Sequence, residues 1–179
     1  MNKRLRELML ISMFPAMMAA TSWIVIPLGF IPPITLQVLF VFLAGLLLKP
    51  TSAAYSMVIY LLIGLVGLPV FAGFVGGPAA LFGPTGGFLF GFVITAYLIS
   101  LLKNVIFINN TYITNSFILV IGLVVLYMCG ISYFALYNGV GVLGLIAPFS
   151  VYIPGDLIKA FTALTVYVSV HSFVKYEWA

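Results

Sequence analysis

The chain has 179 residues, of which 64% are hydrophobic and 6% charged, with a formal net charge of +4. Soluble domains carry roughly 25% charged residues, so this chain cannot coat a water-facing surface and lipid is the expected solvent. Its seven basic residues form no run beyond Lys3, Arg4 and Arg6, which argues against a nucleic-acid footprint.

A spanning helix needs about 20 mainly apolar residues. After the short basic start, the apolar run outlasts the roughly 7–15 residues of a secretory leader, so a retained first helix is predicted over 8–28. Pro15 lies inside it, a position that favours a kink. Ala16 and Ala20 beside it form a small-xxx-small pair, a close-approach surface for another helix of this chain or for a partner protein. Pro32 and Pro33 then break the chain.

A second helix is predicted over 34–48, ending at Lys49-Pro50, with Gln37 near its start. The Gln37 amide can bond a ligand or another helix. A third helix is predicted over 53–68. Both are short for a bilayer and are expected to be tilted, lengthened at their ends or shielded by protein. The segment 69–84 carries Gly73, Gly76, Gly77, Pro78 and Gly83 and cannot be one regular helix. A fourth helix follows over 84–102, then a polar connection from Lys103 to Asn115. A fifth covers 116–137, then a glycine-containing loop 138–150, and a sixth covers 154–174. The expected fold is all-α: one transmembrane domain over 1–179, built as a bundle of six transmembrane helices.

The basic residues test that count. Lys3, Arg4 and Arg6 precede the first helix, Lys49 separates the second and third, Lys103 the fourth and fifth, and Lys175 follows the sixth. In a six-helix chain these four places share one side. The three loops on the other side contain no Lys or Arg. The positive-inside rule then puts both termini in the cytoplasm and makes 69–84 and 138–150 external.

Asp156 and Lys159 stand out, opposite charges at the outer end of the sixth helix. Each would cost about 2.5–3.5 kcal/mol at a helix centre, and less near an interface. Their spacing of three puts them on one helical face, able to point together into the bundle. Asp156 can alternatively cap the helix through its dipole, with Lys159 merely paired to it. That alternative leaves an outer-side lysine unexplained, so a ligand site is the expectation.

The segment Gly83-Pro84-Thr85-Gly86-Gly87 turns a loop into the fourth helix. Its first N–H groups lack helical partners and can meet a polar ligand. Equally, Gly86, Gly87 and Gly91 can serve close helix packing. Phe71, Phe74, Phe82, Phe88 and Tyr152 cluster on the same side, as walls for an apolar ring or as an interfacial aromatic belt. Cys129 is the one cysteine and cannot form an intramolecular disulfide; with His171 the one histidine, a His/Cys metal cluster is not expected. No catalytic constellation and no phosphate-binding GxxxxGK[ST] loop is visible, so any ATP must be bound by another subunit.

Three groups of residues together resemble the BioY family, the biotin-specific S components of energy-coupling factor (ECF) transporters. They are Thr35-Leu36-Gln37, the run from Gly67-Leu68-Pro69 through Gly76-Gly77-Pro78 to Gly83-Pro84-Thr85-Gly86-Gly87, and Pro154-Gly155-Asp156-Leu157-Ile158-Lys159. The resemblance covers essentially the whole chain. It implies the ECF S-component fold in a bacterial cell membrane, with biotin as transported substrate rather than cofactor. It implies that Asp156 and Lys159 contact biotin, together with the outer-side candidates Gln37, Phe71, Phe74, Gly83, Thr85, Gly86 and Tyr152. It further implies a transmembrane coupling protein and two ABC-type ATPases as partners, docked through Ala16 and Ala20, with the subunit reorienting on the coupling protein during import. The 71–82 loop has no charged residue, so added polar contacts from it are not expected. Rival readings are an S component for another vitamin, a self-sufficient secondary transporter, for which no internal repeat is visible, and a membrane enzyme, disfavoured by only three acidic residues and one histidine.

Overall fold

The computed structural model describes the backbone of residues 3–29, 31–106 and 110–178 and the side chains of 4–29, 31–106 and 110–170. The side chains of Lys3, His171 and Lys175, and all of Asn109, lie outside the described residues. The chain is mostly helical. In order come α1 (Lys3–Ala20), β1 (Val25–Ile26), β2 (Ile34–Thr35), α2 (Gln37–Leu47), α3 (Pro50–Leu65), α4 (Pro78–Leu81), α5 (Gly86–Val105), α6 (Thr111–Asn138), α7 (Val142–Phe149) and α8 (Tyr152–Trp178).

The boundaries follow from local chemistry. Pro50 opens α3 at a position where its missing N–H costs nothing. Asn110 caps α6 by accepting from the N–H groups of Tyr112 and Ile113, so α6 starts five residues before the apolar run does. Gly139 ends α6 in the left-handed conformation at φ 65°, its N–H returning to the Ala135 carbonyl. The first helix stops at Ala20 rather than continuing to residue 28. Val25 and Ile26 instead pair antiparallel with Thr35 and Ile34, as β-branched side chains favour. The expected loop 138–150 holds the short helix α7.

Among the described residues, Gly86–Val105, Thr111–Asn138 and Tyr152–Val170 are long and apolar enough to cross a membrane; Gln37–Leu47 and Pro50–Leu65 are shorter apolar helices. The 11-residue α2 is buried almost all round, with Val41, Phe42, Ala44 and Leu46 fully enclosed by protein. A helix apolar on every face belongs in such a centre. Around it pack α1, α3, α5 and α8, while α5 lies along α6. The outward faces are apolar: Leu62, Ile94, Phe117, Met128 and Phe161 are all exposed. The polar groups turn inward, among them Gln37, Ser52, Ser56, Ser100, Asp156 and Lys159. That distribution suits a lipid solvent.

Hydrogen bonds define two ends. At one, Ser52 donates to Glu7 at 2.7 Å, Ser100 donates to the Leu48 carbonyl at 2.6 Å, and the Lys103 ammonium donates to the Leu46 carbonyl. At the other, the Gly73 N–H donates to the Ser22 carbonyl, the Tyr133 hydroxyl to the Phe82 carbonyl, and the Tyr152 hydroxyl to the Pro32 carbonyl. The first end collects Lys49 and Lys103 with the start of α1. The second collects the loops.

Candidate functional site: a cavity at the loop end of the bundle

A partly open cavity with about 790 Å³ of empty space, counted to its mouth, lies at the loop end. Its walls come from six places: residues 32–38 around β2 and the start of α2, the 71–75 turn, Ala80 of α4, Thr85 and the first turns of α5, Leu126 and Tyr127 of α6, and Tyr152, Asp156 and Lys159 of α8.

The polar end of the cavity is built on α8. Asp156 and Lys159 are 3% and 9% exposed and share one face, as their spacing predicts. Lys159 Nζ donates to Asp156 Oδ1 at 2.6 Å, and the Tyr127 hydroxyl donates to Asp156 Oδ2 at 2.6 Å. Asp156 therefore does not cap α8. That helix begins at Tyr152, which leaves the carboxylate in the second turn, bonded sideways into the bundle.

A second polar chain runs from α2 into the bundle behind the cavity wall. The Gln37 amide donates to the Tyr60 hydroxyl, which donates to the Val70 carbonyl at 2.8 Å. The Thr35 hydroxyl donates to Gln37 Oε1 at 3.2 Å. This chain ties α2, α3 and the strand entering Phe71, so it fixes where the Phe71 ring stands. Phe71 packs edge-on against Tyr60 with ring centroids 5.5 Å apart. On the far wall Phe88 stacks on Phe149 of α7 at 5.8 Å, and Phe149 meets Tyr152 at 5.5 Å.

The structure thus brings Asp156, Lys159, Gln37, Phe71, Thr85 and Tyr152 to one cavity and leaves three expected residues off it. Phe74 adopts φ 63° in the turn closed by the Phe71–Val75 bridge. That turn sends Phe71 inward, 2% exposed, and Phe74 outward, 58% exposed. Gly83 and Gly86 face protein: a Cβ at Gly83 would lie 2.7 Å from the Ala79 carbonyl oxygen, and one at Gly86 2.2 Å from that of Leu81. The N–H groups of Gly86 and Phe88 are also taken, by the carbonyls of Gly83 and Thr85. The turn closes on itself instead of offering a nest of free donors. Phe82 is exposed, in keeping with an interfacial belt.

Tyr127, Tyr60 and Thr35 were not among the expected contacts. A tyrosine buried in an apolar helix needs a partner for its hydroxyl, which was the available signal. Ala16 and Ala20 both lie on the exposed face of α1, in line with the exposed Ser12 one turn earlier. No group of three or more His, Cys, Asp or Glu side chains that could hold a metal is present among the described residues.

Fold and cavity define a multi-pass membrane protein with a pocket sunk in one end. The match of the BioY family model spans residues 1–176. A probable biotin transporter BioY of Pyrococcus horikoshii is 36% identical over 167 residues, 90% of this chain and 93% of that one. The biotin transporter BioY of Thermotoga maritima is 47% identical over 98 residues, 55% of this chain and 57% of that one. The crystal structure of the S-component for biotin from an ECF-type ABC transporter superposes with a TM-score of 0.87 at 29% identity, covering 96% of this chain and 95% of that one. The chain belongs to the BioY family, a family of transporters and not of enzymes.

Proposed function

We propose that this chain is the substrate-capturing S component of an ECF transporter in a bacterial cell membrane, and that the cavity takes biotin from the outside. The observation that carries this reading is the buried Asp156–Lys159 pair on the wall of the loop-end cavity. Ionisable groups inside a membrane bundle cost enough that they mark ligand or ion sites by default. The similarity to the S-component for biotin supports the choice of ligand.

The six spans of the single domain are α1, α2, α3, α5, α6 and α8, with both termini cytoplasmic. Arg4, Arg6, Lys49 and Lys103 gather at the end opposite the cavity, as the positive-inside rule asks of a cytoplasmic face. The proposed contacts are Asp156, Lys159, Gln37, Phe71, Thr85 and Tyr152, with Tyr127 added and Phe74, Gly83 and Gly86 left out. The exposed Ala16 and Ala20 are the docking surface for the transmembrane coupling protein, whose two ABC-type ATPases drive import.

Purification in mild detergent followed by mass spectrometry of the small molecules that come with the protein tests the substrate. Biotin is expected in the extract; a different vitamin there would refute the assignment. Lys159→Ala is expected to weaken biotin binding by about 2–5 kcal/mol, the scale for truncating one partner of a buried charge pair. Calorimetry giving unchanged affinity on a folded variant would remove Lys159 from the site.

A further inference from the structure

The first helix carries a break that the cavity does not explain. Pro15 lies inside α1 and has no N–H, so the Ile11 carbonyl four residues earlier loses its helical donor. The break faces inward: Ile11, Phe14, Pro15 and Met18 are buried, while Ser12, Met13, Ala16 and Met17 are exposed. A carbonyl left bare away from water needs another donor.

That donor comes from α3. Ser56, fully buried, donates from its hydroxyl to the Ile11 carbonyl at 2.8 Å. One turn earlier on both helices, the Ser52 hydroxyl donates to the Glu7 carboxylate at 2.7 Å. The two bonds are four residues apart on each helix, so they follow one line between α1 and α3. They differ in kind. Glu7 is an ordinary, partly buried side-chain acceptor. The Ile11 carbonyl is free only because residue 15 is a proline. Both bonds hold the half of α1 that precedes the proline. The half that follows it carries the exposed Ala16 and Ala20. With one rung of the helix missing, the direction of that half depends on what fills the gap.

We propose that Pro15 and Ser56 form a joint between α1 and α3, and that this joint fixes the direction in which Ala16 and Ala20 are presented. Ser56 is a positioning residue: it acts through the Ile11 carbonyl and touches no ligand. The proposal rests on the reading of Ala16 and Ala20 as the surface that docks the coupling protein. Pro15→Ala returns an N–H to the helix, which takes the Ile11 carbonyl from Ser56 and closes the joint.

A double-mutant cycle on the purified full chain in detergent tests the pairing. Ser56→Ala should lower the melting temperature by about 2–8 °C, because it leaves a buried acceptor bare. In the Pro15→Ala background the same change should shift it by no more than about 1–2 °C, since the residue-15 N–H now serves Ile11. Ser52→Ala, on the same line but away from the proline's carbonyl, should cost the same in both backgrounds. Equal shifts for Ser56→Ala in the two backgrounds overturn the joint. Its role is read in cells that carry the coupling protein and ATPases. Pro15→Ala and Ser56→Ala should each leave biotin affinity as in the parent and cut uptake roughly tenfold, within the usual range for coupling between distant sites. Unchanged uptake in either folded variant overturns the positioning role. A parent chain that binds biotin but takes none up with these partners overturns the docking reading and the positioning role with it, while the melting cycle still decides the pairing.

Discussion

Asp156 joins two elements through one carboxylate: Lys159 on its own helix and Tyr127 on α6 each donate to one of its oxygens. Hydrogen bonds to charged groups contribute about 1.5–3 kcal/mol, and a buried acceptor left with fewer partners loses much of that. Tyr127→Phe keeps the ring and removes the bond. It is expected to lower biotin affinity roughly tenfold while the protein still elutes as a folded species, read by titration and size exclusion; unchanged affinity would mean that the hydroxyl does not set the carboxylate. The two ends of this cluster differed in how visible they were beforehand. Asp156 and Lys159 betray themselves as charges in an apolar helix three residues apart. Tyr127 is 29 residues from its partner, and nothing in the run around it marks which helix it faces. Phe74 misled for a related reason. One residue at positive φ reverses which side chain a turn sends inward, and a phenylalanine in that conformation is uncommon.

The seam between α5 and α6 is set by small residues. A Cβ added to Gly87 would stand 2.2 Å from Tyr133 Cβ and 2.7 Å from the Cys129 carbonyl oxygen, so the backbones touch where a side chain would separate them. Gly87→Leu is expected to lower stability by about 1–3 kcal/mol through overpacking. Gly141, with φ −71° and nothing near its missing Cβ, is the control: Gly141→Ala should leave the melting temperature in detergent unchanged. If both variants melt like the parent, the seam is not where the helices meet. Elements with long apolar runs, such as α6, are legible from composition because lipid demands it. The stretch from Thr21 to Leu28 is not, since a short apolar run of Ile and Val reads equally as helix or strand. Only its pairing with Ile34 and Thr35 decides. Likewise α7 hides behind Gly139, Gly141 and Gly144, which fall at its edges and inside it.

At the scale of the molecule, large apolar side chains cover the outside as well as the core, and the buried polar ones are gathered inside. A chain built this way has little to offer a soluble partner except at its ends and along a face smooth enough for another helix. The outer face of α1 is such a surface, with Ser12, Ala16 and Ala20 in line and Met13 and Met17 beside them. Ala16→Trp is expected to leave the fold and biotin binding intact and to abolish uptake in cells that carry the coupling protein and ATPases. Retained uptake would move the docking surface elsewhere. The sequence alone left the Ala16–Ala20 pair open between an internal and an external contact, because spacing says which residues align and not which neighbour they meet.

The brevity of α2 has a consequence for transport. Its 11 residues rise only about 16 Å, against a hydrocarbon thickness of about 30 Å. The carbonyls at its lower tip are taken up by Lys103 and Ser100, so the helix can stop short without leaving bare backbone in oil. Gln37, at its other tip, lines the cavity. If the chain carries biotin as proposed, a ligand beside Gln37 sits at the end of a helix shorter than the bilayer is thick.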